Sequence, residues 1–301
     1  MENINTNQIK GITWMVVHCF LISAMAAIIK VTAEDMNVFQ IVFLYNAFAL
    51  LFLLPFMYKN GWSDVIKTQK LKLHLGRSFL GAISLTMYFY AFTVIPLTEA
   101  RAIALTGPLV SSLMAVIFLK EKTGRHRTSA MIIGFAGVLL IVRPGMEGFT
   151  YISLMVVACV FMWSVIDILI KTLSKTESNI CQLFYLTGGM SLFTMPLAVY
   201  FWQSSSGFSH WGVMILLGAV FLINIYAVTN AFRFGDITVI MPFDFSGMVF
   251  TIIIAYLAFD EIIDIYTATG SVIIMLSSIY MVRREAKKAK VMHATIQKVE
   301  M

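Results

Sequence analysis

The sequence predicts an all-α membrane protein of ten transmembrane helices, built as two inverted-topology five-helix repeats. Three observations carry this: an apolar composition, ten apolar runs of spanning length, and a lopsided distribution of basic residues. Hydrophobic residues make up 59% of the 301 and charged residues 13%, whereas a soluble domain carries about 25% charged residues. With a mean hydropathy of +0.84, the chain lacks the polar surface of a soluble enzyme or binding module.

A bilayer-crossing helix needs about 20 mostly apolar residues. Such runs begin near Gly11, Val38, Leu75, Pro96, Arg127, Tyr151, Ile180, Trp211, Ile237 and Ile262. The first is too long, and lacks the small-residue cleavage site, for a removable signal peptide. The fifth ends at Val142 and is short, so it crosses with little tilt or reaches into the interface. No linker is long enough for a separate soluble domain.

An even number of spans puts both termini on one side, and Lys and Arg choose which. With the N-terminus inside, the cytoplasmic segments and tail hold nineteen of these residues, among them Lys59, Lys67, Lys70, Lys72 and Arg77. Only Lys30, Arg101 and Arg143 fall in the outer half. Both termini are therefore expected in the cytoplasm. The tail from 284 to 301, opening "REAKKAK", is expected to lie on anionic lipid. The net charge of +6 is confined to loops and tail, so no nucleic-acid partner is expected.

Sliding the chain against itself by 140 residues gives a gapless register. Ala91-Phe92 falls on Ala231-Phe232, Thr98 on Thr238, Thr106-Gly107 on Ser246-Gly247, Glu121 on Glu261, and Val142-Arg143 on Val282-Arg283. The shift equals five spans, and an odd number of spans inverts the second copy. The repeats are expected over 11–143 and 151–283.

These residues carry a resemblance. "YAFTVIPLTEARAIALTGPLVSSLMAVIFLKEK", followed by "IIGFAGVLLIVRPG", resembles the EamA branch of the drug/metabolite transporter superfamily. That family's repeat ends a proline-containing span with a hydrophobic run and Glu, then continues into a glycine-containing fifth helix. "MPFDFSGMVFTIIIAYLAFDE" is similar to the variant in which proline precedes Glu by nineteen residues. The first copy departs from it, with Pro108 thirteen residues before Glu121. "DILIK", "SKTESNICQLFY" and "YFWQSSSGFSHW" are similar to the subgroup containing S-adenosylmethionine uptake transporters. The resemblance implies ten helices in a bacterial inner membrane and a central cavity lined by spans one to four and six to nine.

An ionisable residue inside hydrocarbon is a functional signal by default. Asp244 lies eight residues into the ninth span, roughly 12 Å deep in a core about 30 Å thick. Pro242 cannot donate to the carbonyl of Thr238, so a loosened backbone accompanies the carboxylate, as in transporter sites. A buried structural ion pair is the other reading. Arg101, five residues past Pro96, either reaches a substrate or snorkels outward. Glu99 suits the first helical turn and points to nearly the opposite face from Arg101. Pro108 loosens the middle of the fourth span.

Asp167 shares a helix face with Trp163 and Lys171. Either Asp167 pairs with Lys171, or Lys171 reaches the cytoplasm and leaves Asp167 and Trp163 on a cavity. Lys30 is expected to anchor at the interface. His18 lies about one turn beyond Trp14; with Asn46, Asn224 and Asn230 it is either interhelical glue or ligand. Tyr90, like Tyr88, Tyr185 and Tyr226, could stack on a planar or cationic group.

Cys19, Cys159 and Cys181 form no CxxC pair, and suggest neither a disulfide framework nor a metal site. HExxH, GxGD and Ser/His/Asp spacings are absent from the sequence. No metal, cofactor or enzymatic activity is expected. Residue chemistry and resemblance together lead to a secondary carrier of a small organic metabolite. S-adenosylmethionine uptake is the leading expectation, with Asp244 or Asp167 for the cationic centre, Arg101 for a carboxylate, and Trp14, Trp163 or Tyr90 for a flat ring. An exporter of amino acids or cationic drugs, or a non-transporting receptor, remains the alternative. The coupling ion or exchange partner is left open.

Overall fold

The structure, a computed structural model, describes residues 2–107, 110–111, 114, 125–142, 150–203, 208–235, 240, 243–244, 246–277 and 279–280. Pro108, Pro242 and the basic tail, each singled out in the sequence, lie outside the described residues. Among the described residues regular structure is helical throughout. The helices are α1 (Glu2–Thr32), α2 (Val38–Asn60), α3 (Trp62–Ile66), α4 (Leu71–Ala91), α5 (Leu97–Ala104) and α6 (Arg125–Val142). There follow α7 (Tyr151–Leu173), α8 (Asn179–Tyr200), α9 (Phe208–Phe234), α10 (Ser246–Phe259) and α11 (Ile265–Ser277).

Local chemistry sets several of these boundaries. The side chain of Asn37 accepts from Phe39 N at 3.0 Å and opens α2. Thr150 and Ser178 cap α7 and α8 in the same way. Such caps satisfy amide groups that the first helical turn leaves free. Gly61, at φ 83°, closes α2 in a conformation that costs glycine little. Among the described residues five stretches are long and apolar enough to cross a bilayer: Ile9–Thr32, Val38–Asn60, Tyr151–Leu173, Asn179–Tyr200 and His210–Phe234. The protein is therefore a multi-pass membrane protein.

Helices from the two halves of the chain interdigitate. α1 packs on α9 and α10, α2 on α8 and α9, α4 on α7 and α8, and α5 on α7 and α10. Exchanging α1 with α7, α2 with α8, α4 with α9 and α5 with α10 maps this set of pairs onto itself.

The backbones approach closely at matching places, because small residues let membrane helices touch. A Cβ on Gly218 of α9 would lie 2.5 Å from Phe48 Cβ and 3.0 Å from Ala49 N and Tyr45 O of α2. A Cβ on Gly189 of α8 would lie 2.5 Å from Ser78 Cβ of α4. Gly218→Ala is thus expected to push α9 from α2 and cost about 1–3 kcal/mol. Its melting temperature in detergent should fall, while that of Gly212→Ala, with open space at its Cβ, should not. Equal melting of both variants would contradict this packing.

Candidate functional site

A cavity lies between α1, α4, α5, α7, α8 and α9, with about 1040 Å³ of atom-free space including its opening. Asp244, Arg101, Asp167, Trp163, His18 and Asn224 all line it. Their spans are far apart in sequence, and the helix pairing brings them to one place. Trp14 and Tyr90 are not among the lining residues. Trp14 instead stands edge-on to Tyr226 at 5.5 Å, and Tyr90 is 48% exposed. Tyr88 occupies the cavity wall, T-shaped against Trp163 at 4.6 Å.

One side of the cavity is built on α5, which follows Pro96. Glu261 accepts from Leu97 N at 3.2 Å and from Thr98 N at 3.3 Å, so a carboxylate sits on the helix N-terminus. The helix dipole favours that placement. Asp260, just before it, adopts φ 51°, a left-handed conformation that Asp tolerates better than most residues. Lys30 is not a free interfacial anchor: its Nζ lies 2.5 Å from Glu261 Oε1 and ties α1 to this network. Glu99 accepts from Ser153 Oγ at 3.0 Å, joining α5 to α7.

So positioned, Arg101 turns inward rather than snorkelling. It is 8% exposed, and its Nη2 donates to Asp244 Oδ1 at 3.0 Å and to the Asp244 carbonyl at 2.8 Å. Gly247 makes room for it. A Cβ there would collide with the Arg101 guanidinium. Ser23 Oγ donates to Cys19 O and Gly247 O and shares a hydrogen bond with Thr251 Oγ1, holding α1 against this corner.

A second pair of charges lies on α4 and α7. Asp167 accepts from Ser111 Oγ at 3.4 Å. Lys171 Nζ donates to the carbonyls of Phe232 and Gly235 at 3.0 and 2.9 Å, and the Asp167–Lys171 pair is not formed. Arg77 was counted with the cytoplasmic segment in the sequence. The structure begins α4 at Leu71, four residues before the expected start, and buries Arg77 on the cavity wall at 1% exposure. Its Nη1 donates to Gln182 Oε1 at 3.2 Å, and its Nε has no hydrogen-bond partner. A signal for it was present: His74, Arg77, Ser78 and Gly81 follow the i, i+3, i+4, i+7 spacing of one helix face. Hydropathy masked it, because Lys72, His74 and Arg77 lower the mean of the run.

Outside the cavity, His74, Glu177 and Cys181 bring potential ligand atoms within 4.8 Å of one another. Cys181 Sγ donates to Glu177 Oε2 at 3.4 Å and Thr68 Oγ1 donates to Glu177 Oε1 at 3.0 Å, so hydrogen bonds already hold Glu177 in place. The donor types suit a divalent metal, and sequence spacing alone pointed to none.

The model of the EamA-like transporter family matches residues 9–143 and again 150–283. The chain belongs to that family. Among curated proteins, this EamA-like chain is 27% identical over 287 residues to the S-adenosylmethionine uptake transporter of Rickettsia felis, covering 95% of this chain and 97% of that one. It is 27% identical to the riboflavin transporter of Vibrio cholerae, with 81% and 82% covered. It is also 27% identical to the pseudopaline exporter of Pseudomonas aeruginosa, with 91% and 96% covered. A solved crystal structure shares the fold, with a TM-score of 0.65 at 18% identity over 91% of this chain and 95% of that one. Family and relatives alike are transporters, and the chain is a membrane transporter rather than an enzyme.

Proposed function

We propose that this EamA-like transporter is a secondary carrier that moves a small organic metabolite through the central cavity by alternating access. The observation that carries this is the cavity itself: walled by helices from both halves, and holding Arg77, Arg101, Asp167 and Asp244 inside the helix bundle. Charges inside a membrane protein are costly and mark substrate or ion pathways.

Ten spans in two inverted halves, 11–143 and 151–283, give the carrier its motion. The exchange symmetry of the helix pairs supports this, as does the 140-residue register. Arg101 and Asp244 occupy matching spans, next to the end of α5 at Ala104 and the start of α10 at Ser246. Interrupted helices near mid-membrane are where carriers of this kind bind their cargo. The excess of basic residues on one side supports cytoplasmic termini, and the Rickettsia relative supports a bacterial inner membrane.

S-adenosylmethionine is the leading substrate, supported by the Rickettsia relative's near-complete coverage and by the charges of the wall. Relatives of equal identity that carry riboflavin or export pseudopaline favour testing a neutral solute and the outward direction as well. Purified protein in liposomes is expected to take up labelled S-adenosylmethionine saturably and down its gradient. Uptake of riboflavin in its place would overturn the substrate. A panel of charged and neutral metabolites that all fail to move in either direction would overturn the carrier.

A further inference from the structure

We infer that Arg77 and Asp167 are the residues that read the charges of the cargo, and hence that the cargo carries both a carboxylate and a separate cationic centre. This rests on the carrier function proposed above. Among the described residues four charged side chains line the cavity, and they are not equivalent. Arg101 and Asp244 neutralise each other at 3.0 Å, and Arg101 is further committed to the Asp244 carbonyl. Neither offers a free charge, so the carboxylate site expected at Arg101 moves elsewhere.

Arg77 is the opposite case. A guanidinium has five N–H donors, yet this one, 1% exposed, makes a hydrogen bond only to the neutral amide of Gln182 among the described residues. Its Nε is unpartnered, as is that of Arg101, but Arg101 has a carboxylate in ion-pair contact and Arg77 has none. A buried cation without a counter-ion is strongly unfavourable unless a cavity brings it water or an anion. Asp167 has about four acceptor sites and receives one long bond, 3.4 Å, from Ser111. Arg77 and Asp167 form no ion pair with each other. Both line one cavity, on helices that pack together. Arg77 stands six residues after the start of α4 and Asp167 six before the end of α7, each roughly 9 Å in. In the antiparallel arrangement of these spans that is one depth. Trp163, one turn from Asp167, meets Tyr88 edge to face and offers an aromatic surface beside the anionic group, favourable for a cation.

The test compares S-adenosylmethionine with its decarboxylated analogue, which keeps the sulfonium but lacks the carboxylate. Uptake affinity is measured in liposomes for the wild type, Arg77→Gln, Arg77→Lys and Asp167→Asn. Arg77→Gln is expected to weaken S-adenosylmethionine about 10- to 100-fold, the range for a hydrogen bond to a charged group, and the analogue less than about threefold. Undiminished handling of the analogue also shows that the variant is folded. Arg77→Lys should lose affinity for S-adenosylmethionine selectively but less, since it keeps the charge without the planar fork. Asp167→Asn should weaken both compounds, because both carry the cation. If either Arg77 variant affects the two compounds equally, the charge-reading role falls while the carrier stands. If the wild type moves riboflavin and no compound that carries both a carboxylate and a cationic centre, the inferred cargo falls with it. If the wild type moves nothing, it is the carrier function that has failed.

Discussion

Asp244→Asn is expected to destabilise the protein by about 3–5 kcal/mol and to abolish transport. The change preserves shape and removes one charge, leaving Arg101 buried without a counter-ion, and breaking a buried pair costs about that much. Arg101 cannot escape to water: it is 8% exposed, and α5 is held by Glu261 on its first amide groups. The double variant Arg101→Gln with Asp244→Asn removes both charges and should recover most of the lost stability, because the pair and not either charge alone sets the balance. Melting in detergent gives the comparison. A double variant no more stable than Asp244→Asn would show that the two residues are not coupled.

The second large effect is expected at Gly247. Its added Cβ would lie 2.7 Å from Arg101 Cζ and 2.9 Å from Nε, closer than real Cβ atoms come to their neighbours. Two hydrogen bonds pin the guanidinium to Asp244, and Ser23 holds the Gly247 carbonyl from α1. The clash is therefore relieved only by parting Arg101 from Asp244 or by moving α10. Gly247→Ala should lose about 1–3 kcal/mol from overpacking and transport together with it. Gly107, its counterpart in the 140-residue register, has no neighbour within 4 Å of its Cβ among the described residues, so Gly107→Ala should melt like the wild type. A Gly247→Ala protein with wild-type melting and transport would contradict the packed pair.

Asp244, Arg101 and Asp167 could be singled out in the sequence because the cost of placing a charge in hydrocarbon is a property of the local run. Lys30 was legible as a charge but not as a partner of Glu261, 231 residues away. Arg77 was misplaced for a related reason: window averages blur a helix end where polar residues share one inward face. Trp14 and Tyr90, which lie off the cavity wall, could not be told from Trp163 in the sequence, since an aromatic residue in a span does not reveal which way its face turns.

The chain by itself determined the class of solvent it folds in, the helical form that solvent demands, and the family to which its repeats belong. These depend on composition and periodicity, which are written along the sequence. Only the tertiary structure decided that Arg101 and Asp244 cancel one another across 143 residues and that Arg77 and Asp167 do not. Coulomb energy depends on separation and burial, and both come into existence only when the helices pack.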